Sequence, residues 1–118
     1  MCDINNLKVV NDTQGHEAGD VYIRECCLMI CHVFTHSPVF RLGGDEFAVI
    51  LQGQDYENRD ELLALLREQA ALPGEEGKGC MACGLAEYLP QTDTSLSDVF
   101  ARADRAMYEE KTRMKAGR

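Results

Sequence analysis

Two acidic clusters in this 118-residue chain could do metal chemistry: Asp3-Ile4-Asn5-Asn6 and Asp45-Glu46, the second directly after Gly43-Gly44. Carboxylates from two neighbouring elements on a sheet edge, joined by a main-chain carbonyl, offer the hard oxygen ligands that Mg²⁺ takes, with room for water and phosphate. Acidic turn residues are more often simply solvated, and on composition alone that plainer reading is the heavier one. The glycine pair shifts the balance. A tight turn needing positive φ angles could use Asn-Gly, whereas Gly-Gly leaves the backbone bare for a ring or sugar to approach. An ordinary hairpin turn accounts for the same residues equally well.

Six cysteines raise zinc and disulfide chemistry. Cys2 stands alone, Cys26, Cys27 and Cys31 share one helical stretch, and Cys80 and Cys83 form a single C-x-x-C. Tetrahedral zinc sites usually pair two such knuckles or add close histidines. A redox C-x-x-C opens a helix, but this one lies in a strand-like run over 79–85. Reduced, mostly buried cysteines are expected.

The elements that must position these groups can be read from periodicity. Residues 1–7 enter as the end of a strand. Ile23, Cys27, Ile30 and Phe34 mark one apolar face of a helix over 20–34, which Ser37-Pro38 closes. Two apolar runs, 39–42 and 47–51, flank the Gly-Gly-Asp-Glu turn as a hairpin whose glycines permit positive φ. A second helix spans 60–71, with Asp60 as its cap and Leu62, Leu63 and Leu66 facing inward. Residues 73–79 read as a solvated loop, 80–88 as a strand, and 96–115 as a last helix capped by Ser95 or Ser97. Strands alternating with helices around one hairpin imply an α/β fold, a mixed central sheet flanked by helices.

Length fits one domain, and 45% hydrophobic with 27% charged residues is ordinary for a globular protein. Twelve basic against 20 acidic residues give a net charge of -8, which argues against nucleic-acid and anionic-membrane partners. No run is long enough to span a membrane, and the start lacks a signal-peptide pattern, so a cytoplasmic location is expected.

The motif Arg41-Leu42-Gly43-Gly44-Asp45-Glu46-Phe47 contains, in its hairpin context, the five-residue signature of the GGDEF family. Residues 3–20, from Asp3-Ile4-Asn5 to Gly15-His16-Glu17-Ala18-Gly19-Asp20, resemble that family's first motif, and Ala103-Asp104-Arg105-Ala106-Met107-Tyr108-Glu109-Glu110-Lys111 resembles its last-helix motif. The resemblance implies a nucleotide-cyclase-like fold with a ferredoxin-like core. It also implies a diguanylate cyclase, which condenses two GTP into cyclic di-GMP and two pyrophosphates.

Carried over position by position, the resemblance makes Asp3, the Ile4 carbonyl and Asp45 the holders of Mg²⁺ (or Mn²⁺), with Glu46 assisting. Asp45 becomes the acceptor of the ribose 3′-hydroxyl proton. Asn11 and Asp20 become guanine readers and His16 a nucleotide contact. Backbone at Asn6, Leu7 and Lys8 wraps the phosphates, beside Gly43 and Gly44. Lys111 matches a phosphate lysine, and Lys115 stands where many relatives carry Arg. Closing the ring needs two sites face to face, so a second copy of the domain is an expected partner.

Two departures qualify this. Phe34 and Ser37 occupy the positions of the family's inhibitory Arg-x-x-Asp run. Residues 1–118 also lack the family's leading helix and most of its first strand, which implies weakened stability, strand exchange, or a longer protein with a sensor or regulatory region. The alternative to an enzyme is an inert GTP- or cyclic di-GMP-binding regulatory module, or an incomplete domain.

Overall fold

The computed structural model describes residues 1–72 and 75–116. Four strands form the central sheet: β1 (Cys2–Ile4), β2 (Val39–Arg41), β3 (Glu46–Val49) and β6 (Met81–Cys83), in the order β2-β3-β1-β6. Among the described residues five helices accompany them: α1 (Leu7–Gln14), α2 (His16–Val33), α3 (Gln54–Glu57), α4 (Arg59–Ala70) and α5 (Leu96–Ala116). A separate two-stranded ribbon pairs β4 (Ala71–Leu72) with β5 (Glu75–Gly79). The helix-flanked α/β sheet is the expected one, and all its described strand pairs are antiparallel, without the parallel neighbours of a mixed sheet.

Strand alternation gives the sheet two different faces. Cys2 and Ile4 of β1, Phe47 of β3, and Met81 and Cys83 of β6 meet Cys26, Ile30, Val33 and Phe34 at α2, and Leu66 and Ala70 of α4, in one buried cluster. The predicted apolar face of the helix over 20–34 is therefore the core face, with Ile23 and Cys27 packed at its margin. The opposite face, carrying Asp3, Glu46, Ala48 and Ala82, is covered by α5 through Ala103 and Met107. Gly84 lets α5 approach: a Cβ there would lie 2.2 Å from both the Ala103 carbonyl oxygen and the Met107 nitrogen.

Several boundaries differ from expectation. The long helix begins at His16, not Asp20, and a separate helix α1 precedes it. The last strand stops at Cys83 rather than Tyr88. Its ladder closes through Gly84 N–H to the Met1 carbonyl at 2.9 Å. The expected loop over 73–79 contains strand β5 at 75–79, while 73 and 74 lie outside the described residues. Asp60 is the second residue of α4, not its cap, since Asn58 occupies that position without a side-chain bond. Of the two expected caps of α5, Ser95 directly precedes the helix, its carbonyl accepting the Asp98 N–H at 3.2 Å, while Asp98 accepts the Thr94 N–H at 2.8 Å and Ser97 lies inside the helix.

Candidate functional site

Asp3 is the centre of the site. It faces α5 from the central strand, 6% exposed, with Glu46 directly opposite on β3 and Ala82 opposite on β6. Its Oδ2 accepts a hydrogen bond from Lys111 Nζ at 2.7 Å, while its buried Oδ1 has no hydrogen-bond partner among the described residues. The hairpin tip reaches the same point, because the Asp45 carbonyl accepts the Ile4 N–H at 2.8 Å.

Burial pushes the Asp3 carboxyl above its ordinary value, the neighbouring Asp45 carboxylate adds to this, and Lys111 pulls it back. Glu46 is raised as well, first by burial and then by Asp3, Asp104 and Asp45. The acids of this corner thus repel one another, as expected where a cation is to be held. A raised carboxyl keeps its proton in the folded state where the unfolded chain has already lost it, so the folded state is relatively favoured at acid pH. Stability attributable to Asp3 should therefore fall as pH rises upward from the ordinary value of 3.8. In metal-free buffer, Tm of the wild type should decline relative to Asp3→Asn as pH rises from 3.8; parallel profiles would refute the raised Asp3 carboxyl.

Asn6 takes the left-handed conformation, φ 65°, which Asn tolerates better than most residues. It caps α1, so the chain turns sharply from β1 and presents Leu7 and Lys8 as the first helical residues. Tyr22, which lies in no motif described above, ties this turn to α2, its hydroxyl donating to the Asn5 carbonyl at 2.8 Å. Its aromatic ring and proximity in sequence to Asp20 gave no signal of that role. Leu7 packs on the core margin, whereas Lys8 is exposed and pairs with Asp12 at 3.8 Å, a surface contact of small weight.

The α1–α2 junction brings Asn11 close to Asp20. A Cβ on Gly19 would fall 1.7 Å from Asn11 Oδ1, so the Asn11 amide lies directly on the backbone next to Asp20. Gly15, φ 93°, makes the corner and donates to the Asn11 carbonyl at 3.0 Å. His16 is the exposed first residue of α2. Asp20 is exposed one turn further on and lines a cleft of about 580 Å³ with Ile23, Arg24, Cys27, Arg41 and Phe47.

The hairpin tip corrects one expectation. Gly43 and Gly44 do not have positive φ, and nothing lies within 4 Å of where their Cβ atoms would be. Bareness, not backbone freedom, is what these glycines supply. Arg41 holds the tip, donating from Nε to the Gly43 carbonyl at 3.1 Å and from Nη2 to the Gly44 carbonyl at 2.9 Å. Lys115 is exposed one turn beyond Lys111.

The positions of the inhibitory run are used structurally. Phe34 is buried in the core, and the Ser37 hydroxyl donates to the buried Asp55 carboxylate at 2.7 Å. The two cysteines of the C-x-x-C diverge, Cys80 towards Cys26 and Cys83 towards Cys2. All six are free thiols, and among the described residues no group of three or more His, Cys, Asp or Glu side chains is arranged to hold a metal. Two carboxylates and a carbonyl still suit Mg²⁺, which keeps several waters and is completed by substrate phosphates. The unpartnered Asp3 Oδ1 fits such a ligand.

The family profile of the diguanylate cyclase GGDEF domain matches residues 1–116, and the chain belongs to that family. It is 32% identical over 117 residues to the diguanylate cyclase DgcZ of Escherichia coli, covering 94% of this chain and 39% of that protein. An uncharacterized 19.3 kDa protein of Streptomyces ambofaciens is 30% identical over 118 residues, covering 99% of this chain and 64% of its own. Among solved structures, the active GGEEF domain of a diguanylate cyclase from Vibrio cholerae superposes with TM-score 0.75 at 28% identity, covering 95% of this chain and 74% of that one. The GGDEF domain of DgcB from Caulobacter crescentus, in complex with c-di-GMP, gives 0.74 at 30% identity, over 94% and 69%. The chain thus spans only part of the length of the curated relatives it matches, from 17% to 64%. No helix among the described residues is long and apolar enough to cross a membrane.

Proposed function

We propose that this domain binds GTP and, with a second copy facing it, condenses two GTP into cyclic di-GMP with release of two pyrophosphates. The observation that carries this reading is the buried Asp3 carboxylate, half paired with Lys111 and half without a partner, at the edge of the bare glycine tip. Asp3, the Ile4 carbonyl, Asp45 and Glu46 would hold Mg²⁺ or Mn²⁺. A divalent ion bound there supplies positive charge for the phosphates and the leaving pyrophosphate.

The protein's own groups do the rest. Asp45 accepts the proton of the attacking ribose 3′-hydroxyl, Lys111 neutralises phosphate charge, and the main chain at Asn6, Leu7 and Lys8 receives the phosphates. His16 sits at the nucleotide's edge, the bare backbone at Gly43 and Gly44 accepts the sugar, and Lys115 adds a point charge. Any sensor or regulatory region would lie outside residues 1–118. Incubation with GTP and Mg²⁺, followed by mass analysis, should yield cyclic di-GMP. Nucleotide binding without product would instead support the regulatory-module reading.

Guanine selection falls to Asn11 and Asp20. A carboxylate accepting from N1–H and the 2-amino group distinguishes guanine from adenine, which offers neither donor there. Asp20→Ala should weaken GTP by about 1.5–3 kcal/mol for each charged bond lost, with ATP scarcely affected. Equal weakening of both nucleotides in calorimetric titrations would reduce Asp20 to a helix charge.

A further inference from the structure

Four of the six cysteines face one another in pairs, and one pair lies against the site. Cys26 Sγ on α2 is 3.9 Å from Cys80 Sγ at the start of β6. The Cys80 main-chain oxygen accepts the Asn5 N–H at 2.7 Å and is also approached by the Tyr22 hydroxyl at 3.4 Å. The pair therefore sits directly behind the turn that leads from Asp3 into α1. Cys26 is buried, whereas Cys80 is only partly so, which gives an oxidant one sulfur to attack and a resolving thiol behind it. The other facing pair, Cys2 and Cys83 at 3.6 Å, is buried on both sides and has no such entry.

We propose that Cys26 and Cys80 are a reversible redox pair, closing to a disulfide under peroxide and disturbing the nucleotide site by tethering α2 to the strand that holds Asn5. The Cys80 sulfur attacks one peroxide oxygen; the S–O bond forms, the O–O bond breaks, and hydroxide leaves and is protonated to water. Cys26 sulfur then displaces the second oxygen from the Cys80 sulfenic acid, forming S–S and releasing a second water. The two thiols are oxidised by two electrons and the peroxide is reduced. The hydrogen bond from Cys26 holds the Cys80 thiol below its ordinary range, which favours attack at that sulfur. To bond, the sulfurs must close to about 2.05 Å.

The test uses the full chain with limiting hydrogen peroxide. Titratable thiols should fall from six to four, and peptide mapping should find Cys26 joined to Cys80, reversed by dithiothreitol. Cys80→Ser, at the partly exposed position, should keep the fold and remove the crosslink, and Cys26→Ala should do the same. Resting on the proposed nucleotide site, affinity for a non-hydrolysable GTP analogue should drop about tenfold on oxidation and return on reduction. No crosslink, a crosslink only at Cys2–Cys83 or Cys27–Cys31, or a Cys26–Cys80 crosslink with unchanged affinity would overturn the proposal. If the reduced chain fails to bind the analogue, the nucleotide reading fails and the mapping alone decides the thiol pair.

Discussion

Asp45→Ala should lower cyclic di-GMP formation by on the order of 10³-fold while leaving the fold intact. The two halves of this expectation have separate causes. Structurally, it is the Asp45 carbonyl and not its side chain that holds the hairpin tip to Ile4, at 2.8 Å, and alanine keeps that carbonyl. Truncating a turn side chain opens no cavity, and it removes a carboxylate that raises both Asp3 and Glu46. Unfolding free energy should therefore change by no more than about 0.5 kcal/mol, with any change towards greater stability. Chemically, under the proposed function, the variant would lose a cation ligand and the acceptor for the hydroxyl proton together. Product formation measured by mass, beside a thermal melt of the same sample, checks both halves. Wild-type turnover would remove Asp45 from the catalytic assignment.

Gly84→Ala should do the reverse, destabilising the fold first and the chemistry as a consequence. The added carbon would lie 2.2 Å from two main-chain atoms of α5 and 2.8 Å from the Met107 Cα, and backbone cannot swing aside as a side chain can. Relief requires α5 to lift from the sheet, at a cost of about 3 kcal/mol. For a domain of this size that lowers Tm by about 10 °C. Because α5 also carries Lys111, the 2.7 Å contact to Asp3 should loosen, and turnover should drop even where the protein is still folded. Urea unfolding of both proteins gives the first effect directly. An unchanged midpoint would mean that α5 does not rest on Gly84.

The hairpin and the long helices were legible because their signals are local. Phe47, Ile30 and Leu66 repeat at strand or helix spacing, and each is buried as that spacing requires. Helix α1 was not legible. It has a mostly polar sequence, no side-chain cap, and an entry through left-handed Asn6, so it owes its form to packing on α2 around Gly19. Strand β5 was hidden for the opposite reason, since Glu75-Glu76-Gly77-Lys78-Gly79 has loop composition and is fixed by pairing with β4. At the site, residue types in the motifs gave Asp3, Asp45 and Glu46 as a set, and the cross-strand register Asp3–Glu46 supplies a geometric reason for it. The clasp of Tyr22 on Asn5 and the pairing of Lys111 with Asp3 joins residues whose separation in sequence carries no periodic mark.

Asp3 and its cation Lys111 are 108 positions apart, and the strand bearing Asp3 pairs with residues 46–47 and 81–83. Such a long-range closure is slow and cannot finish while the later partners are still unmade. During translation the central strand can meet residues 46–47 early, but residues 81–83 and Lys111 follow only later. The Asp3–Lys111 pair is accordingly the last part of this corner to form, because its cation arrives only with helix α5.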